Sequence, residues 1–243
     1  PEAARSEHPG RCPIVLFHDS LGCVELWRDF PTALARRTGR TVVAYDRLGF
    51  GRSDPRTGSP SRELVAEEAR NALPELRAHL GLDRFVVFGH SVGGGMAVHV
   101  AAAFREACVA VITESAQAFV EDRTLAGIRE AKAGFQQEGQ LARLARYHGD
   151  KAKWVLDAWT ETWLSPDFAS WSLDAALPNV RCPLLAIHGA EDEYGSARHP
   201  ERIAALAGGP ARVVILDAVH HVPHREAEDT VLALVADFLA DIP

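Results

Sequence analysis

With 243 residues, 47% of them hydrophobic, the chain is long enough to bury a sizeable core and short enough to form one domain. Charged residues make up 24% and are spread without blocks, for a net charge of -7, which argues against nucleic acid or an anionic membrane as partner. No apolar run approaches the ~20 residues of a membrane helix, and four scattered cysteines (Cys12, Cys23, Cys108, Cys182) predict buried thiols in a reduced, cytoplasmic setting rather than a disulfide framework.

The chain opens with "PEAARSEHPGR", which has no apolar signal core and begins on Pro1 instead of an initiator methionine, as if a leader or other segment had been removed. Short β-rich runs then recur: "CPIVLF" (12–17), "TVVAYD" (41–46), "FVVFG" (85–89), "ACVAVIT" (107–113), "CPLLAIHG" (182–189) and "ARVVILD" (211–217). They are apolar on successive residues, as expected of strands covered on both faces. Helical patterns lie between them, at roughly 24–38, 61–80, 93–105, 198–207 and 225–240; in the last, Val231, Leu234, Val235 and Phe238 fall at helical spacing. The alternation predicts an α/β fold with a mostly parallel, doubly wound sheet.

One stretch breaks the alternation. Residues 116–178 read as helices with no strand between them and hold four of the five tryptophans: Trp154, Trp159, Trp163 and Trp171. These rings either pack a helical subdomain onto the sheet or line a lid over an apolar substrate pocket, and the two readings are compatible. The expected organisation is a core in two parts, 1–115 and 179–243, with a helical lid at 116–178.

The stretch "VVFGHSVGGGMAVHV" (86–100) sets a Gly–His–Ser–Val–Gly pentapeptide where a strand gives way to a helix. In that context G-x-S-x-G has a mechanism. Gly89 and Gly93 allow a tight turn, and Ser91 is held strained with its hydroxyl at the C-terminal edge of the sheet, where open α/β sheets bind ligands. The helix starting near Val92 also aims its first amides at negative charge developing there. A serine hydroxyl is a poor nucleophile near neutral pH, so a base and an orienting acid are required. In this architecture they follow in the order Ser, acid, His. "AEDEYG" after the fifth β-rich run offers Asp192, flanked by Glu191 and Glu193, and "AVHHVPHREAE" after the last offers His220, His221 and His224. Other usual ligands do not cluster near these histidines, so no metal is expected.

With "HDSLG" (18–22), "DRLGFGRSD" (46–54), "GHSVGG" (89–94), "HGAED" (188–192) and "HHVPHRE" (220–226), the chain resembles the α/β-hydrolase-fold serine hydrolases, of the lid-bearing esterase and C–C hydrolase kind, over essentially its whole length. The resemblance implies Ser91 as nucleophile, Asp192 as acid and His221 as base, with His220 standing where the family usually has glycine. It implies an oxyanion hole made by the backbone N–H groups of Ser20 and Val92. In His18–Asp19–Ser20, Asp19 replaces the family's usual glycine; its side chain is expected to cap the loop or to disfavour anionic substrates. Glu114, at the end of the fourth β-rich run, is the second candidate acid, since some relatives carry theirs there. The "DRLGFGRSD" loop is expected to buttress the site, and His90 to pack beside the turn.

The family's sheet normally begins with an antiparallel hairpin, and too few residues precede "PIVLF" to build one, so that edge is expected to be absent or trimmed. The implied function is hydrolysis of a small, partly apolar carboxylic ester or thioester through an acyl-enzyme, with no cofactor. The partner is then a small molecule, bound by a monomer or homodimer, with Trp154, Trp159 and Trp163 of the lid against it. Alternatives that keep the same triad are a C–C bond hydrolase, a cofactor-free perhydrolase or lyase, and a receptor-like binding protein.

Overall fold

A strand buried on both faces needs apolar side chains at every position, because successive residues point to opposite sides of the sheet. In the computed structural model, which describes residues 3–4, 10–58, 61 and 63–243, the apolar runs form such strands. They are β1 (Ala3–Ala4), β2 (Ile14–Phe17), β3 (Val42–Ala44), β4 (Phe85–His90), β5 (Cys108–Glu114), β6 (Leu184–Gly189) and β7 (Ala211–Leu216). The sheet order is β1-β3-β2-β4-β5-β6-β7, parallel from β3 to β7.

The helices are α1 (Phe30–Thr38), α2 (Leu64–Arg70), α3 (Ala72–Leu80), α4 (Val92–Ala103), α5 (Asp122–Gly134), α6 (Gln140–His148), α7 (Ala152–Trp163), α8 (Arg198–Leu206), α9 (Pro223–Glu226) and α10 (Glu228–Phe238). Val15, Phe17, Val87, Val111 and Ala186 pack on one face with α4 and α8 residues such as Met96 and Ile203. Ile14, Leu16, Phe88, Ile112 and Ile187 pack on the other with Phe30 and Leu34 of α1 and Val231 and Val235 of α10. The chain runs from β2 to β3 on one side, then crosses back so that β4 pairs with β2 on the other, with Phe17 opposite Gly89. The crevice where ligands bind in such sheets therefore opens between the ends of β2 and β4.

Four expectations need correction, all beyond the N-terminal edge, where a single two-residue strand, β1, pairs antiparallel with β3 (Ala3 opposite Val43) and no hairpin is described. The other N-terminal residues, 1–2 and 5–9, lie outside the described set. The helical pattern at 24–38 is two pieces, a 3-10 turn (Val24–Trp27) and α1, because Arg28 takes a positive φ of 53° between them. The pattern at 61–80, whose residue 62 lies outside the described set, breaks at Asn71 into α2 and α3, and that at 225–240 is preceded by the short α9. Finally β7, although apolar in sequence, is an edge strand with only one neighbour, and Ile215 is exposed.

Between β5 and β6 stand α5, α6, α7 and three 3-10 turns, and the bridge between Phe119 and Ser172 joins the stretch before α5 to the stretch after α7. Trp163, Trp171 and Phe168 pack ring on ring, with centroids 5.2 to 5.4 Å apart. Phe50, Leu144, Val155 and Leu156 form a second, smaller core under α6 and α7. No helix among the described residues is long and apolar enough to cross a membrane, and all four cysteines are free thiols.

Candidate active site

Ser91 sits between β4 and α4 with φ 56° and ψ -125°, a conformation that costs a non-glycine residue about 1–3 kcal/mol and persists only where the surroundings enforce it. The enforcement is visible. Ser91 N–H donates to the Glu114 carbonyl (2.8 Å), and the Ser91 carbonyl accepts from Gly94 N–H (2.9 Å). A Cβ at Gly93 would lie 2.1 Å from the Phe17 carbonyl oxygen, and one at Gly89 would lie 2.0 Å from that of Gly93. Only glycine allows the turn to close this tightly against β2.

Asp192 lies in the loop after β6 and is fully buried. Both of its carboxylate oxygens are 2.9 Å from His221 Nδ1, and Oδ1 also accepts the backbone N–H groups of Tyr194 (2.7 Å) and Gly195 (3.2 Å). Burial alone would raise the Asp192 pKa, but the His221 bond, the nearby imidazoles and these amides outweigh it and hold the carboxyl below its ordinary value. A carboxylate on Nδ1 selects the Nδ1–H tautomer of His221 and leaves Nε2 with its lone pair. The histidine loop comes this close because a Cβ at Gly189 would lie 2.2 Å from the carbonyl oxygens of Val219 and His220.

The competing residues are elsewhere. The His220 side chain is 56% exposed and pairs with Glu226 (3.0 Å) and Glu191 (3.6 Å). Glu193 is exposed. Glu114 is fully buried, but it faces His224 (Nδ1 to Oε2, 2.5 Å) and not His221. His90, Glu114 and His224 present potential ligand atoms within 4.8 Å of one another. As a metal site the set fits poorly. The close pairing with Glu114 takes up His224 Nδ1, while Nε2 of His90 bonds the His221 carbonyl (2.8 Å) and its Nδ1 faces Asp19 (3.4 Å).

Across the crevice, neither the Ser20 nor the Val92 N–H meets a hydrogen-bond acceptor among the described residues. Arg47 fastens this loop: its guanidinium donates to the Asp19 carbonyl (2.7 Å) and lies 4.1 Å over the Phe50 ring. His18 also bonds the Asp19 carbonyl (2.9 Å), and burial, assisted by Arg47, pushes its pKa well down, so it sits there neutral. The Asp19 carboxylate caps the loop by accepting Leu21 N–H (2.9 Å). Burial opposes its ionisation, yet the contact with His90 holds it well below the usual carboxylate range. Asp46 accepts Val24 N–H (2.7 Å) and Arg52 N–H (2.8 Å), which is the local buttress that the "DRLGFGRSD" loop provides.

A cavity of about 160 Å³ joins these groups and is lined by Asp19, Ser20, Ser91, Trp159, Trp163 and His221. Ser20, Trp159 and Trp163 also border a larger adjoining cavity of about 260 Å³, the one that Trp154 lines. Trp154 therefore stands apart from Ser91, with its indole N–H given to the Gly58 carbonyl (2.8 Å). Sequence reasoning missed Gln117, Thr124, Ile128 and Tyr194 on the wall of the first cavity. The Tyr194 ring lies 4.8 Å from that of His221, and its signal was in "EDEYG", two residues beyond the acid. Nothing in the sequence marks Thr124 or Ile128, which α5 brings over the sheet only after folding.

The model of the alpha/beta hydrolase fold matches residues 13–157, more than half of the chain. A 1-acylglycerol-3-phosphate O-acyltransferase of Homo sapiens is 40% identical over 88 residues, covering 36% of this chain and 24% of that protein. The polyketide synthase ThaQ of Burkholderia thailandensis is 29% identical over 267 residues, covering 98% of this chain and 12% of that protein. The chain thus spans a quarter or less of these curated relatives. Among solved structures, the enol-lactonase of Burkholderia xenovorans has a TM-score of 0.74 at 21% identity, covering 99% of this chain and 95% of that one. The proline iminopeptidase of Mycobacterium smegmatis has a TM-score of 0.73 at 21% identity, covering 98% and 93%. With a parallel sheet crossed at β2 and β4, an elbow at Ser91 and a family model matched over residues 13–157, the chain belongs to the alpha/beta hydrolase fold family.

Proposed function

We propose that the chain is a serine hydrolase acting on a small, partly apolar carboxylic ester or thioester. Ser91 Oγ attacks the carbonyl carbon as His221 Nε2 takes its proton, and Asp192 orients the ring and supports the imidazolium. The tetrahedral oxyanion is met by the Ser20 and Val92 N–H groups, a contact whose loss typically costs about 10²–10³ in rate. His221 then returns the proton to the leaving group. In the second half His221 takes a proton from water as it attacks the acyl carbon, and the bond to Ser91 Oγ breaks as the proton passes back to Oγ, releasing the acid.

The observation that carries this reading is the shared cavity: Ser91 and His221 border one small space, and Asp192 binds the far side of the His221 ring at 2.9 Å. Relatives and fold neighbours that include an acyltransferase, a lactonase and an iminopeptidase agree with carbonyl chemistry. The small volume beside Ser91, walled by Trp159 and Trp163, favours a compact acyl group. Labelling with a fluorophosphonate, read by intact mass and peptide mapping, is the test. One adduct on Ser91, together with burst release from a chromogenic ester, is expected. A protein that takes no label, or takes it elsewhere, is not this enzyme.

A further inference from the structure

Asp19 stands where relatives usually have glycine, and His90 is the residue just before Ser91. His90 is almost completely buried, and both of its ring nitrogens face groups that can only accept. Nε2 is 2.8 Å from the His221 carbonyl oxygen, and Nδ1 is 3.4 Å from Asp19 Oδ2. A neutral imidazole carries one N–H and would leave one of these two acceptors facing a lone pair inside the protein; an imidazolium satisfies both.

The surroundings favour the charge. Asp19 comes from the loop after β2 and Glu114 from the end of β5, while the histidines packed against the ring are His221 (centroids 5.2 Å) and His224 (4.9 Å), with Trp27 at 6.4 Å. His224 has its pKa lowered by burial and adds little positive charge. Burial pushes His90 down, and the bond to Asp19 with the two carboxylates more than reverses it.

We propose that the half-buried Asp19 and the buried His90 form a carboxylate–imidazolium pair that positions His221, with Asp19 a positioning residue acting through His90. The consequence follows from where the other ties of that loop lie. Glu226 accepts the N–H groups of His220 (2.8 Å) and Val222 (3.1 Å), and Asp192 holds the His221 ring, so His90 is what holds the His221 carbonyl. When His90 loses its second proton it must release either Asp19 or that carbonyl. The base at His221 then works on a looser loop, and reactivity falls on the alkaline side.

The inference rests on reading His221 as the base, and its test separates the two. Nitrogen-15 NMR of the ring-labelled chain reports the charge of His90 without any reaction. Both nitrogens protonated at pH 7 are expected, and in Asp19→Asn the pH at which His90 titrates should fall by at least about one unit. The rate of fluorophosphonate labelling of Ser91 against pH should show its alkaline fall displaced downward by the same interval, with Asp19→Gly as the replacement where Asp19→Asn does not fold. A neutral His90 at pH 7, or a variant profile scaled down equally at every pH, overturns the proposal. A doubly protonated His90 in a protein whose Ser91 takes no label upholds the pair and overturns the hydrolase reading instead.

Discussion

The C-terminal edge of the sheet and the helical segment between β5 and β6 face each other across one cavity, but they are held by different forces. At the edge, Ser91, Asp192 and His221 are fixed by backbone hydrogen bonds, by a carboxylate with four short contacts and by glycines with no room for a Cβ. The helical segment is held mostly by rings, Trp163 on Phe168 and Trp171, and by a few polar ties such as Glu121 to His199 (3.0 Å). Directional bonds fix an atom to within tenths of an ångström, whereas apolar packing is non-directional and tolerates exchange of shape. The edge therefore holds its side chains at fixed distances, while the segment is free to exchange shape.

Substitution at the edge should be far more damaging to turnover than to folding. Ser91→Ala is expected to lower kcat by about 10⁴–10⁶ with an unchanged thermal midpoint, since only a hydroxyl bordering the cavity is lost. Residual turnover above about a tenth of wild type would remove Ser91 from the centre of the comparison.

Asp192→Asn should cost about 10⁴ in kcat, because the amide can donate to Nδ1 and select the wrong tautomer of His221. Glu114→Gln is its control. It leaves kcat within about threefold but lowers stability by about 1–3 kcal/mol, because His224 loses a buried charged partner. Equal kinetic losses in the two variants, measured side by side, would show that the Glu114–His224 pair belongs to the chemistry.

On the other side of the cavity, Trp159→Ala should raise KM about tenfold for a short aromatic ester and change kcat little, because it removes a wall and no reacting group. A drop confined to kcat would mean that this wall acts in the transition state.

The smallest effect separates the two regions by pH. His199, buried on α8, accepts the Ala118 N–H at Nδ1 (3.1 Å) and meets Glu121 through Nε2 (3.0 Å), tying down the start of the helical segment. Burial pushes its pKa down to about 4. The unfolded chain therefore binds this proton first, and stability falls as pH drops from about 6.5 toward 4, by up to about 1.4 kcal/mol per unit. Melts from pH 7 to pH 5 should show this loss in wild type and a flatter slope in His199→Asn. Identical slopes would take His199 out of the account.

Much of this was legible in the chain. Continuous apolar runs separated by helical periods specify a sheet covered on both faces, and "GHSVGG", "HGAED" and "HHVPHRE" each sit just beyond a strand's C-terminal end, where a parallel sheet gathers its loops. Element type, fold class and loop position follow from local pattern and chain connectivity, so the fold and the neighbourhood of Ser91, Asp192 and His221 were readable, whereas the strand order came from the structure. What tertiary structure alone decided was partnership between residues far apart in sequence. Three histidines within five residues look alike until packing leaves His220 in solvent, aims His221 at Asp192 and buries His224 on Glu114, 110 positions away. Trp154 and Trp159 lie on one helix, yet only Trp159 reaches the Ser91 cavity. Asp19, which the sequence marks as a departure, gains its meaning from His90 and the His221 carbonyl, because charge and hydrogen bonding inside a protein depend on distances that no local pattern encodes.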